Sequence, residues 1–163
     1  MTDASDFYRR MESDCPAFQA RITARALTRY YNACFRTLGI TAEQFSLLVG
    51  IGGSYEPTLA GLAARAGVDA TTLSRNVKSL ERSNFVHSHG GRGRAGKRLI
   101  LTDEGSQLME ESMAIWELAR IRLAEALGEK TSSAVASVMS QLAVAAKNAT
   151  SANNVAMPCN AAE

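Results

Sequence analysis

The chain is expected to be mainly α-helical with one small β-hairpin, and three observations lead there. First, Pro57-Thr58-Leu59-Ala60-Gly61-Leu62-Ala63-Ala64-Arg65-Ala66 reads as a short amphipathic helix that Gly67 closes. Second, after Val68 and Asp69, residues Ala70 to Asn84 read as another helix. Third, a strand-like pattern starts at Phe85, breaks at Gly90-Gly91-Arg92-Gly93-Arg94-Ala95-Gly96-Lys97-Arg98, and closes with Leu99-Ile100-Leu101-Thr102. A helix, a tight turn, a helix and a basic hairpin in this order are the parts of a winged helix-turn-helix, here over residues 41–102.

The remaining elements flank that core. Residues 1–15 are polar and acidic, lack the apolar stretch of a signal peptide, and are expected to be a flexible segment. Pro16 suits a first helical turn, and Phe18, Ile22, Ala26, Tyr30, Ala33 and Cys34 follow at helical spacing to Leu38, where Gly39 ends the helix. Thr41 and Gln44 form a capping-box pattern that opens a helix over 42–51, and Gly52-Gly53-Ser54 breaks it. After the hairpin, Thr102-Asp103-Glu104-Gly105 starts a long helix to Leu127, and a last helix is expected over 130–148. The domain thus spans 16–148, and residues 149–163 read as a disordered tail.

The second helix of the core carries the chemistry. At 100° per residue, Leu73, Val77 and Leu80 share one arc that must face the core. Thr71, Arg75, Lys78 and Arg82 fall opposite, with Ser74 and Ser79 at the edges, and Asp69 stands at the N-cap. Small hydroxyls at the helix start (Thr71, Thr72, Ser74) allow close approach to phosphates, and Arg75 can grip a guanine edge with two hydrogen bonds. The hairpin adds Arg92, Arg94, Lys97 and Arg98, with no acid between Arg82 and Thr102. Its glycines, Gly90, Gly91, Gly93 and Gly96, are expected to make it flexible. Cations on such a loop suit phosphate contact or a narrow minor groove, so double-stranded DNA is the expected partner.

Composition sets the frame. Of 163 residues, 46% are hydrophobic and 21% charged, ordinary for a globular protein without a membrane span, so a cytoplasmic protein is expected. The net charge of only +2 means that DNA binding must come from local clustering. Cys15, Cys34 and Cys159 form an odd set without metal-ligand spacing. Cys34 reads as a buried small hydrophobe. Cys15, before Pro16 at a helix start, is placed where the helix dipole favours a thiolate, which makes it a candidate redox residue. His87 and His89 alternate on a strand without an acidic partner nearby, so neither a metal site nor a cofactor is expected. No phosphate loop or nucleophile–base spacing points to an enzyme. Leu108, Met109, Met113, Trp116, Ala119 and Leu123, with Val135, Val138, Met139, Leu142, Ala145 and Ala146, carry more apolar surface than a small winged helix can cover. Helices 16–38 and 103–148 are therefore expected to build a homodimer that presents two reading helices to a pseudo-palindromic operator.

These motifs resemble the MarR family of bacterial winged-helix regulators. The resemblance rests on Gly39-Ile40-Thr41-Ala42-Glu43-Gln44-Phe45-Ser46-Leu47-Leu48, on Leu59-Ala60-Gly61-Leu62-Ala63, on residues Asp69 to Arg82, and on Leu99-Ile100-Leu101-Thr102-Asp103-Glu104-Gly105. It covers residues 16–148. The family wing carries an Asp followed closely by Arg, but Gly93 and Ala95 stand at those places here, so Arg92 or Arg94 must supply the wing cation without its usual brace. The resemblance implies a repressor released from DNA by a small, often phenolic or anionic aromatic ligand held among the first, second and fifth helices. Arg25, Tyr31, Gln44 and Trp116 are the expected lining. Some family members instead sense peroxides through a cysteine near the first helix, and Cys15 lies slightly before that place. The alternative from another class is a winged helix that binds proteins, against which the acid-free wing and the Arg75/Lys78/Arg82 stripe argue.

Overall fold

The computed structural model describes residues 4–55, 57–91 and 96–153. Its elements in chain order are α1 (Ala4–Asp14), α2 (Pro16–Cys34), a 3-10 turn (Phe35–Leu38), α3 (Ala42–Gly52), α4 (Leu59–Ala66), α5 (Ala70–Arg82), β1 (Val86–His89), β2 (Arg98–Leu101), α6 (Asp103–Leu127) and α7 (Glu129–Asn153). Residues up to Ala119 form one compact unit and those from Arg120 onward a second.

Within the N-terminal segment expected to be flexible, Ala4–Asp14 form a helix. Phe7, Tyr8 and Met11 share one side of α1, and Arg9 pairs with Asp6 and donates to Ser5 one turn earlier. Pro16 separates α1 from α2. Proline disfavours helical backbone in the residue before it, and Cys15 is extended (φ −77°, ψ 110°) as the N-cap of α2. Further on, α2 stops at Cys34 rather than Leu38, and the last four residues tighten into the 3-10 turn that left-handed Gly39 closes. Cys34 is half-buried, not buried as expected. Phe35 is fully buried and stacks on Phe45, with ring centroids 4.4 Å apart.

The α3 N-terminus carries both halves of its capping box. Gln44 N donates to Thr41 Oγ1 at 3.2 Å, and Thr41 N donates to Gln44 Oε1 at 2.9 Å. The next helix is shorter than expected, because Pro57 and Thr58 are extended. Leu99 N donates to Pro57 O at 3.0 Å, Leu59 N donates to Lys97 O at 3.3 Å, and Thr58 bridges Arg98, so this segment lies along the outer edge of β2. Thr58 also caps α4, its hydroxyl accepting from Gly61 N at 3.1 Å.

Strands β1 and β2 are antiparallel, pairing Val86 with Leu101 and Ser88 with Leu99. That register turns Val86 and Leu99 into the core and leaves His87 and Ile100 exposed. The core of this unit gathers Phe35 and Leu48 with Leu73, Val77 and Leu80 of α5, Leu99 of β2 and Leu108 of α6. At the start of α6, Thr102 Oγ1 accepts from Gly105 N at 3.0 Å and donates to Asn84 O at 2.6 Å, tying α6 to the exit of α5. Gly105 is buried, and a Cβ there would lie 2.0 Å from Phe85 O.

In the second unit, α7 is longer than the expected 130–148 and takes in the start of the expected tail. Thr150 and Ser151 bond back to the carbonyls of Ala146 and Lys147 (2.9 and 3.2 Å), so these hydroxyls are satisfied within the helix. Val138, Met139, Leu142 and Val144 are exposed on it. Cys159 lies outside the described residues. Among the described residues, no helix is long and apolar enough to cross a membrane.

Candidate nucleic-acid interface

Helix α5 is built at both ends from its own sequence. At its start, Asp69 accepts from Thr72 N at 2.8 Å and from Thr72 Oγ1 at 2.5 Å. At its end, Asn84 N donates to Glu81 O and Phe85 N to Leu80 O (3.0 and 2.9 Å), with Asn84 left-handed at φ 57°. The helix therefore stops at Arg82, two residues before the expected Asn84. Asparagine tolerates this conformation better than most side chains.

Between those ends the two faces separate as expected. Leu73, Val77 and Leu80 are buried, while Thr71, Arg75, Lys78 and Arg82 are exposed. Arg75, Lys78, Glu81 and Arg82 line a shallow, open groove of about 520 Å³. Arg75 to Arg82 covers about 10.5 Å along the helix, roughly three base-pair steps. Ser74 is half-buried at the edge of the stripe. Thr72 is exposed but commits its hydroxyl proton to Asp69, so toward a partner that oxygen is left only as an acceptor. One residue at this edge escaped the sequence reading. Glu81 Oε1 accepts from Ser88 Oγ at 2.5 Å and so links the last turn of α5 to β1.

Hydrogen bonding from Thr72, first its hydroxyl and then its amide, holds the Asp69 carboxyl below the usual carboxylate range. A depressed carboxyl stabilises the fold above the unfolded-state pKa, and that contribution is lost as pH falls through the folded-state value. Asp69→Asn keeps a capping oxygen but cannot ionise. It should therefore remove this part of the acid dependence, read as urea midpoints compared between about pH 6 and pH 2. A wild-type-minus-variant difference that stays constant over that range would show that the cap does not titrate.

At the wing, Lys97 and Arg98 are exposed at the entry to β2, whereas Arg92 and Arg94, with Gly93 and Ala95, lie outside the described residues. The flanking glycines serve conformation, not only flexibility. Gly90, Gly91 and Gly96 are left-handed, and a Cβ on Gly91 would lie 2.4 Å from Gly96 O.

The four residues expected to line an effector site lie on α2, α3 and α6. Arg25 is exposed, Tyr31 stacks near Phe35 at 6.0 Å, and Trp116 is 39% exposed on α6. Gln44 is engaged by its capping box and by Ser79 Oγ at 3.3 Å. A cavity of about 720 Å³, open to solvent, lies between α3 and the α4–α5 pair. Leu47, Val49, Leu62 and Leu73 line it, with Arg65 and Thr72 among the polar residues. Arg65 fastens α4 to α3 by donating to Ser54 Oγ (2.8 Å) and Gly50 O (2.9 Å).

Two helices joined by a tight turn, the second cationic on its outer face and flanked by a hairpin with basic residues, define a winged helix-turn-helix DNA-binding protein. A family model described as MarR family matches residues 38–95. The fold is similar to the M. tuberculosis transcriptional regulator MosR at 29% identity and TM-score 0.74, over 84% of this chain and 98% of that one. Against MosR in complex with DNA, the identity is 30% and the TM-score 0.73, over 83% of this chain and 98% of that one. The transcriptional repressor CouR bound to a 23-mer DNA duplex shares the fold at 18% identity and TM-score 0.71, over 82% and 95%. No curated protein sequence matches the chain. The chain belongs to the MarR family. It is accordingly a DNA-binding transcription regulator and not an enzyme.

Proposed function

We propose that the protein is a dimeric repressor that reads a pseudo-palindromic operator and leaves it when a small aromatic ligand binds. The observation that carries the DNA-reading part is the division of α5 into a buried row (Leu73, Val77, Leu80) and an exposed cationic row (Arg75, Lys78, Arg82). In this reading the N-terminal half of α5 contacts base edges, and Lys78, Arg82, Lys97 and Arg98 contact phosphates, together with Arg92 and Arg94 of the wing tip. The complexes of MosR and CouR with DNA support it.

Exposed apolar side chains support dimerisation. Phe7, Met11, Phe18 and Ile22 on α1 and α2, and Val138, Met139 and Leu142 on α7, are each more than two-fifths exposed, and a second copy would cover them. For the effector, the cavity between α3 and α4–α5 has the volume and apolar lining of a small-molecule site and touches the recognition helix at Thr72, Leu73 and Asn76.

The test is binding to the DNA upstream of the chain's own gene, with the species in solution measured by sedimentation. Affinity should drop on the order of 10³-fold between about 50 and 200 mM salt, and a dimer should be the bound species. Binding indifferent to salt and sequence would sink the DNA-reading assignment, and a monomer at full affinity would sink the dimer. A panel of aromatic acids and peroxides on the same complex should show release by an aromatic acid. Release by peroxide alone would transfer control to Cys15.

A further inference from the structure

We infer that a hydrogen-bond relay from α2 through the N-terminus of α3 positions the recognition helix, with Asn32, Gln44 and Ser79 as its positioning residues. The inference rests on α5 being the helix that reads DNA. It starts at the first amide of α3, where Asn32 Oδ1 of α2 accepts from Ala42 N at 2.7 Å. Immediately before it, Thr41 caps the helix, and Thr41 N donates to Gln44 Oε1 at 2.9 Å. That bond uses only the oxygen of the Gln44 amide and orients its plane. The nitrogen is not needed by the cap, since a capping box works equally with a glutamate. Here Gln44 Nε2 reaches α5 and donates to Ser79 Oγ at 3.3 Å.

Asn32, Gln44 and Ser79 are each half-buried, so water competes less for these bonds than at an open surface. Ser79 sits between the core row and the cationic row of α5, next to Lys78 and one turn after Arg75. Two-bond recognition of a base edge depends on direction as well as distance, so a small rotation of α5 at Ser79 changes how Arg75 meets its base. The relay also has an anchor at its other end. Tyr30 donates to Ala119 O of α6 at 2.9 Å, two residues before Asn32, so α2 is held to α6 and to α3 by neighbouring side chains. A shift of α2 thereby reaches the DNA-reading face without passing through the apolar core.

The test is a double-mutant cycle on the full chain, using a duplex that the wild-type protein selects from a random pool. Asn32→Leu and Ser79→Ala remove opposite ends of the relay. Each should weaken binding about fivefold, the worth of one ordinary hydrogen bond. The double variant should be little worse than either, because a relay broken once is already broken. Asn32→Asp still accepts from Ala42 N and should restore near-wild-type affinity, which mere loss of packing would not. Losses that multiply to about 25-fold in the double variant would overturn the relay, since independent sites add in free energy. Ser79→Ala favours the helix and should leave the thermal midpoint in place, so wild-type affinity for that variant overturns the relay whatever Asn32→Leu does to folding. Arg75→Ala on the same duplex separates the two ideas. If it too binds as wild type, the recognition-helix reading fails and the relay falls with it.

Discussion

Gly105→Ala should destabilise the protein by about 3 kcal/mol or more, lowering the thermal midpoint by about 6–12 °C at fixed protein concentration. The cause is contact with backbone, not an unusual conformation, because Gly105 is not among the left-handed glycines. Its added methyl would lie 2.0 Å from Phe85 O and 2.9 Å from Phe85 C. A flexible side chain could swing away from such a methyl, but Phe85 is held on both sides. Phe85 N donates to Leu80 O at 2.9 Å, and Phe85 O accepts from Thr102 N at 3.2 Å. Relief therefore requires α6 to move from the base of the wing, which strains the Thr102 bonds to Asn84 and Gly105. Gly128→Ala is the natural control. Gly128 is left-handed at φ 78° with nothing within 4 Å, so only backbone strain of about 1–2 kcal/mol is expected there. Equal thermal midpoints for Gly105→Ala and wild type would refute the close approach of α6 to Phe85.

Arg75→Ala should weaken binding to the specific operator by about 1–3 kcal/mol, roughly 5- to 150-fold, and leave folding unchanged. Folding is spared because Arg75 is exposed on a helix whose two ends are already satisfied, at Asp69 and at the Asn84–Phe85 turn. Arg75→Lys is the sharper companion. It keeps the charge but loses the planar fork, so affinity for scrambled duplex should persist while the preference for the operator shrinks. Both are read as dissociation constants on operator and scrambled DNA at one salt concentration. An unchanged ratio of the two constants in Arg75→Ala would place base reading elsewhere in the protein.

The features that were legible beforehand are those made by residues within one turn of each other. The Asp69 cap, the Thr41–Gln44 capping box and the row Leu73, Val77 and Leu80 all follow from three- or four-residue spacing, which helix geometry converts directly into contact. Family resemblance added the order of elements and the expectation of a DNA reader, and the similarity to MosR agrees with both. One misreading arose where a distant partner overrode the local signal. Pro57 and Thr58 looked like a helix start, yet β2 draws them out into an extended edge. Residues 4–14, read as part of a flexible segment, form a helix in which Arg9 bonds Asp6 and Ser5 within one turn, so that departure is local. The bond from Gln44 to Ser79 had no signal in the spacing, because the two residues lie on different helices.

The pattern of the chain alone therefore settles that the reading helix forms, which face of α5 is apolar and which is cationic, and where its cap begins. Those are local facts, decided by backbone periodicity and by side chains a turn apart. Packing decides the rest: that Glu81 meets Ser88, that Gln44 reaches Ser79, that Asn32 takes an amide of α3, and that only a glycine fits against Phe85. Each of these contacts joins residues 7 to 35 positions apart. No spacing rule connects such positions, because their distance depends on how whole helices and strands stack.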